Sequence, residues 1–264
     1  MNSPKVYLAK VYLVGAGPGD PGLLTVKGRD VLQAADCVLY DYLVSEAIVK
    51  LARADAEMLF VGKQGGKNCI TQDQIHELLV AKAQQHKTIV RLKGGDPFIF
   101  GRGGEEAETL AAAGIAFEIV PGVSAGIAAP AYAGIPLTHR GYSSSVAFVT
   151  AHENPTKNPD EARWERIATN ADTLVFFMGV GRIAQLVEEL YAQGRAPHTP
   201  VAVIRWGTTP QQEVFVSDLE NIAALMNSHD VKPPALIVVG EVVRLRDQLQ
   251  WFFPSPQTHA ATNN

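Results

Sequence analysis

Carboxylates and an ammonium stand in this sequence where short apolar runs end, and that placement gives them chemistry to do. Asp41 follows Cys37-Val38-Leu39-Tyr40, Lys63 follows Leu59-Phe60-Val61-Gly62, and Asp96 lies in the run Arg91-Leu92-Lys93-Gly94-Gly95-Asp96-Pro97-Phe98-Ile99-Phe100-Gly101-Arg102-Gly103-Gly104-Glu105-Glu106. Five of those sixteen residues are glycine, and paired glycines let backbone approach a ligand more closely than any side chain allows. A carboxylate at a strand end can take a proton as a general base, and a lysine there can donate one or hold a substrate carboxylate. Plainer uses exist: Asp41 can cap a turn, Lys63 can sit on a solvated loop, and the glycine run can be an ordinary turn.

Two further loops share this character. Gly15-Ala16-Gly17-Pro18-Gly19-Asp20-Pro21-Gly22 begins like a dinucleotide fingerprint, but its sixth position is Asp20 in place of Gly or Ala. Pro18 removes an amide donor and Asp20 repels a pyrophosphate, so the loop suits a neutral or cationic ligand. Pro121-Gly122-Val123-Ser124-Ala125-Gly126 leads into an Ala-rich segment, with Ser124 as the predicted N-cap of a helix ending near Gly134. No GxSxG elbow and no Walker lysine occur, and no two of the seven histidines have the spacing of a zinc helix, so no metal is expected.

These residues need a frame. The predicted strands Lys10–Val14, Cys37–Tyr40, Glu57–Val61, Thr88–Leu92 and Phe117–Val120 alternate with helix-like segments, among them one from Gly103 through Ala113 with acidic residues in its first turn. Such βα repetition builds a parallel sheet, whose strand C-termini share one edge, where open α/β sheets place their ligands. After Pro136 the rhythm changes. Strands are predicted at Ser145–Thr150, Thr173–Phe177, Val201–Arg205 and Ala235–Val239, helices at Glu161–Ala168 and Arg182–Gln193, a loop at Glu153–Asp160, and a helix capped by Ser217. The expected organisation is an α/β domain at residues 1–138, a second mixed α/β domain at 139–253 and a disordered tail at 254–264.

Composition narrows the function classes. The 264 residues are 47% hydrophobic and 19% charged, with a formal net charge of -4, so no basic footprint for nucleic acid or an anionic membrane exists. Cys37 and Cys69 form neither a disulfide framework nor a zinc spacing, and the reducing cytoplasm is the expected compartment. The N-terminal stretch lacks the pattern of a secretory signal, and Glu118, Pro121, Pro130 and Pro136 argue against a membrane span in the apolar region at 114–137.

The motifs VGAGPGDPGLLT at 14–25, VLYDYLVS at 38–45, VGK at 61–63, RLKGGDPFIFGRGGEE at 91–106, PGVSAG at 121–126 and PLTHRG at 136–141, in this order, resemble the tetrapyrrole methylase family. The resemblance spans roughly residues 11–243. It implies a two-domain α/β fold, a parallel sheet in the first domain and a mixed second domain, with S-adenosylmethionine held in the cleft between them. The cofactor contacts it implies are Pro18, Gly94, Gly95, Asp96, Ile99, Ser124 and Ala125, with Met178, Gly207 and Ala235 from the second domain. It implies Asp41 as proton acceptor and Lys63 as proton donor, and it places Thr150-Ala151-His152-Glu153 at the border of the pocket.

The implied reaction is methylation of uroporphyrinogen III at C-2 and C-7, giving precorrin-2 and two S-adenosylhomocysteine and feeding siroheme or cobalamin formation. A substrate with eight carboxylates needs local cations in an acidic protein, and Lys63, Arg102, Arg140 and Arg205 are the candidates. The resemblance also implies a homodimer. Because the chain starts directly at the methylase motifs, the oxidation and iron-insertion activities of longer family members are expected to be absent. Two rival readings stay open: a methyltransferase of the same fold acting on a later corrinoid or on a modified protein or RNA, and a non-catalytic ligand-sensing module.

Overall fold

A computed structural model describes residues 9–62, 70–151 and 170–254, in two compact units, Met1–Ala125 and Gly126–Asn264. In the first unit, β1 (Lys10–Gly15), β2 (Cys37–Tyr40), β3 (Glu57–Phe60), β4 (Thr88–Lys93) and β5 (Ala116–Val120) form one sheet in the order β3-β2-β4-β1-β5. Every pairing is parallel, with Gly15 level with Lys93 and Tyr40 level with Leu92. The strands read as apolar runs because both faces are covered. Val11, Leu13, Cys37, Leu39 and Ile89 pack under α3 (Gln72–Lys82) and α4 (Gly103–Ala112). Val14, Val38, Val90, Leu92 and Val120 pack on the opposite face with α1 (Val26–Ala34) and α2 (Glu46–Val49). The β1, β2, β4 and β5 boundaries fall within one residue of those expected, as does β3, which closes at Phe60.

Local chemistry starts the helices. Thr25 accepts from the Gly28 amide at 3.0 Å to open α1, and Thr71 with Gln74 forms a reciprocal capping box on α3. The start of α4 is different. Its N-cap is Arg102 in a left-handed conformation (φ 59°), with no side-chain cap bond.

In the second unit the sheet order is β6-β7-β10-β8-β9, from β6 (Val146–Thr150), β7 (Thr173–Phe177), β8 (Pro200–Arg205), β9 (Glu213–Asp218) and β10 (Ala235–Val239). Only β6 and β7 run parallel, so this sheet is mixed. One face buries Val149, Leu174, Phe176, Val203 and Ile237 against α6 (Ile183–Ala192) and α7 (Ile222–Ser228). A short α8 (Arg246–Leu249) follows a 3-10 segment at Glu241–Leu245. On the other face lies α5 (Ala125–Tyr132): a Cβ on Gly126 would come within 2.7 Å of the Phe177 ring and 3.1 Å of Phe148. The expected domain boundary is residue 138; the compact units divide at Ala125/Gly126, and α5 packs with the second sheet.

One expectation is corrected here. Ser217 caps no helix; it lies inside β9, paired with Val201. Asp218, the last residue of that strand, takes the Asn221 amide at 3.1 Å and its side-chain amide at 2.8 Å before α7 begins. The expected helix at Glu161–Ala168, the loop at Glu153–Asp160 and residues 255–264 of the expected tail lie outside the described residues.

Candidate functional site

Three strand ends of the first sheet close on one another through backbone alone. Gly17 and Gly95 exchange amide-to-carbonyl hydrogen bonds of 3.1 and 2.7 Å, and the Ala16 amide donates to the Lys93 carbonyl at 2.8 Å. A Cβ on Gly15 would lie 2.5 Å from the Gly122 nitrogen and 2.6 Å from the Gly95 oxygen, so no side chain fits. Gly95 itself holds φ +68°, a conformation that favours glycine. Asp96 staples the arrangement. Its Oδ1 accepts from the Phe98 amide at 2.8 Å and its Oδ2 from the Gly122 amide at 3.0 Å. Pro18 follows Gly17, and Ser124 and Ala125 border Gly95: a Cβ there would stand 3.6 Å from the Ala125 nitrogen. Of the expected cofactor contacts in this unit, Pro18, Gly94, Gly95, Asp96, Ser124 and Ala125 therefore share one edge, with Ile99 exposed on the loop leaving it.

Asp41 stands on the same edge, half-buried. Its Oδ1 accepts from the Gly94 amide at 3.4 Å and its Oδ2 from the Arg91 guanidinium at 3.4 Å. Lys63 lies outside the described residues. Among the described residues, Asp41 and Asp96 present carboxylates along this edge, while Arg91 and Lys93 lie buried beneath it, paired with Glu106. That balance, on a surface of bare backbone, fits a small cationic ligand such as a sulfonium and disfavours a phosphate.

The second unit has an edge of its own. Leu236 lies level with Phe177 and Ala235 with Arg205, so Ala235, Met178 after β7, and Trp206-Gly207 after β8 fall at one end of that sheet. Thr150, level with Phe177, ends β6 there too. Met178, Trp206 and Thr208 hold φ of 58°, 48° and 69°, which costs a non-glycine residue about 1–2 kcal/mol each. The turn is held in place: the Thr208 amide donates to Gln212 Oε1 at 2.8 Å, and Gln212 Nε2 to the Tyr132 carbonyl at 3.2 Å. Trp206 and Thr208 are absent from the expected contacts, because a left-handed conformation at a non-glycine residue leaves no sequence signal.

A family profile described as Tetrapyrrole (Corrin/Porphyrin) Methylases matches residues 10–223. The chain belongs to the tetrapyrrole methylases. A Synechocystis protein named uroporphyrinogen-III C-methyltransferase is 51% identical over 246 residues, covering 92% of this methylase and 94% of that protein. Siroheme synthase of Pseudomonas aeruginosa is 52% identical over 245 residues, 92% of this chain but 52% of its own; this methylase spans about half the length of such relatives. A crystal structure of the Thermus thermophilus uroporphyrin-III C-methyl transferase, complexed with S-adenyl homocysteine, superposes with a TM-score of 0.77 at 42% identity, covering 90% of this chain and all of that one.

The expected substrate cations of the methylase are not equally free. Arg102 is exposed and paired with Glu105 at 2.6 Å, and Arg205 with Glu213, its cross-strand neighbour, at 2.7 Å. Arg140 is exposed, in the turn closed by the His139–Ser143 bridge.

Sequence reasoning missed the buried charges beneath the first edge. Arg91 and Lys93, each 3% exposed, sit two residues apart on one face of β4, and both reach Oε1 of the fully buried Glu106 at 3.0 Å. Burial pushes the Lys93 ammonium below the usual lysine value and Arg91 adds to this, with Glu106 and Asp41 opposing. The signal was present as two cations inside an apolar strand. At the opposite end of this sheet, Cys37, Glu57 and His86 approach within 4.8 Å of one another. Glu57 is already held by Lys82 at 2.5 Å and His86 at 2.7 Å, and burial pushes the Cys37 thiol up to about 12. The neighbouring ammonium and the protonated thiol both work against a metal ion there.

Proposed function

We propose that this chain methylates uroporphyrinogen III at C-2 and C-7, giving precorrin-2 and two S-adenosylhomocysteine for siroheme or cobalamin formation. The observation that carries this reading is the 51% identity with the Synechocystis enzyme along nearly the whole of both chains. S-adenosylmethionine, when bound, supplies a methyl group already activated by its sulfonium, so the protein needs to position reactants more than it needs a nucleophile of its own. Pro18, Gly94, Gly95, Asp96, Ile99, Ser124 and Ala125 hold the cofactor, with Met178, Gly207 and Ala235 contributing from the second unit. Backbone at Gly94 and Gly95 gives close approach, and the carboxylates along this edge favour the positive charge.

As the pyrrole carbon takes the methyl group, the carbon–sulfur bond breaks with its electron pair going to sulfur. The methylated ring must later lose a proton, and Asp41 accepts it; Lys63 donates where a proton must be returned. Arg102, Arg140, Arg205 and Lys63 bind the substrate carboxylates, with Arg102 and Arg205 exchanging Glu105 and Glu213 for them. The protein works as a cytoplasmic homodimer. No helix among the described residues is long and apolar enough to cross a membrane.

The test is anaerobic incubation with uroporphyrinogen III and methyl-labelled S-adenosylmethionine, which should place two labels per macrocycle. An unlabelled macrocycle overturns the reading, and label found only in later corrinoids would move the substrate along the series. Asp96→Ala should weaken S-adenosylhomocysteine binding at least roughly tenfold by calorimetry, whereas Asp41→Ala should cut turnover and spare binding. Loss of cofactor binding in Asp41→Ala overturns this division of roles.

A further inference from the structure

Four charged side chains from three segments meet beneath the Gly94 edge. Glu106 Oε1 accepts from Arg91 Nε at 3.0 Å, Lys93 Nζ at 3.0 Å and Gln72 Nε2 at 3.2 Å, while its Oε2 is buried without a hydrogen-bond partner among the described residues. Arg91 carries the connection onward. Its guanidinium donates to the Leu92 carbonyl at 3.1 Å, to the Leu39 carbonyl at 3.5 Å and to Asp41 Oδ2 at 3.4 Å. Asp41 in turn takes the Gly94 amide, so a continuous line runs from a buried carboxylate on α4 to the half-buried carboxylate at the edge. Stability does not account for this cluster. Taking two cations and a carboxylate out of water is unfavourable before they pair, and apolar residues of the same volume are commonly as stable or more so.

We propose that Glu106 and Lys93 are positioning residues for Asp41, acting through Arg91 and through their charge to fix the orientation of its carboxylate and the pH at which it takes a proton. This rests on the reading of Asp41 as proton acceptor. Among the described residues, the charged groups around Asp41 are Arg91 and Lys93 from β4 and Glu106 from α4. Farther out are the Arg102–Glu105 pair at the head of α4, and Asp73 and His76 of α3, with His76 hydrogen-bonded to Gln72. Burial, Arg91 and Glu106 each weigh more on the Lys93 charge than Asp41 does, and Asp41 favours the charged lysine.

The two positioning residues have opposite charge, and that gives a signature packing cannot imitate. Glu106→Gln leaves Arg91 and Lys93 with Asp41 as their remaining counter-charge, which favours ionised Asp41 and moves the acid limb of the turnover profile to lower pH. Lys93→Met removes a cation and moves it to higher pH. Each shift should be roughly half to one pH unit, with turnover in Glu106→Gln lowered about tenfold and S-adenosylhomocysteine affinity within twofold of the unaltered protein. Lys93→Arg, which keeps the charge, should leave the limb in place and carries the test if Glu106→Gln does not fold. Carboxyl carbon-13 NMR of Asp41, assigned with Asp41→Asn, reads the same two shifts without turnover, so the inference is measured even if uroporphyrinogen III is not the substrate. Opposite shifts in Glu106→Gln and Lys93→Met support the proposal, as does, where Glu106→Gln does not fold, a Lys93→Met shift that Lys93→Arg lacks; absent shifts, or both charge-removing variants shifting in one direction, overturn it. Undiminished turnover in Asp41→Asn overturns it as well, by removing the role being positioned.

Discussion

Gly15→Ala puts the closure of the three strand ends to a direct test. The added Cβ would stand 2.5 Å from the Gly122 nitrogen, 2.6 Å from its Cα and 2.6 Å from the Gly95 oxygen, all backbone atoms that no rotamer change can move. Ordinary carbon–oxygen contact begins near 3.3 Å, so β1 must separate from both neighbours by roughly 0.7 Å. The Gly17–Gly95 pair and the Gly122-to-Asp96 bond anchor those same atoms, and a shift of that size carries bonds of about 3 Å past hydrogen-bonding length. Overpacking costs about 1–3 kcal/mol and each of two lost hydrogen bonds about 1 kcal/mol, for a total of about 3–5 kcal/mol. The thermal unfolding midpoint followed by circular dichroism should fall by roughly 6–20 °C, and S-adenosylhomocysteine binding should weaken in parallel by calorimetry. Gly104→Ala is the control: outside its own helical turn no atom of the described residues lies within 4 Å of the added Cβ, and in the first turn of α4 alanine should raise stability by about half a kcal/mol. A Gly15→Ala protein that melts within about 2 °C of the unaltered one and binds the product equally well would refute the reasoning.

Cys37 should be inert while the protein is folded, because burial, aided by the Glu57 charge, holds its thiol near 12. Peptide mapping after iodoacetamide at pH 8 should find it alkylated only in denaturant, and rapid native alkylation would contradict its placement. Stability should fall on acidification. Asp36 lies below its usual carboxylate value chiefly because it accepts the Thr88 amide, Glu57 because of Lys82, and Asp172 because of the Ser144 amide. A carboxyl lowered in the folded state adds stability that is fully present above its unfolded value, near pH 4, and lost as pH falls through the folded value. The urea midpoint should therefore drop between about pH 5 and pH 3, and less steeply in Asp36→Asn; an identical slope in that variant would remove Asp36 from the account.

What the sequence made legible follows from how each feature is encoded. The five parallel strands and their shared edge were readable because each apolar run ends in glycine or a polar residue, a local pattern. β9 was not: Glu213-Val214-Phe215-Val216-Ser217-Asp218 is an edge strand with polar ends, and Ser217 beside Asp218 imitates a cap. The glycines at 15 and 122 were visible, but that they are required by each other's backbone was not. Glu106 illustrates the limit best. Its place in the first turn of α4 suggested a dipole contact, whereas its burial depends on α4 lying across β4, which no neighbouring residue announces.

The two units build their strand-end edges by different physical means. In the first, side chains are removed: Gly15 and Gly122 touch through backbone, and the carboxylate of Asp96 is spent on holding amides in place as well as on charge. In the second, side chains are kept where the backbone resists them. Gly207 shows this well, since it lies between two left-handed non-glycines without being left-handed itself; its missing side chain is required by Ala129, against which an added Cβ would collide. Trp206 and Thr208 take the strained conformations around it, locked by the Pro234 carbonyl and by Gln212. Strain of this kind persists only where surrounding structure over-determines it, and it gathers where function needs a particular side chain. A β-branched residue at φ 69°, as at Thr208, is therefore a stronger pointer to function in that turn than the glycine that first drew attention to it.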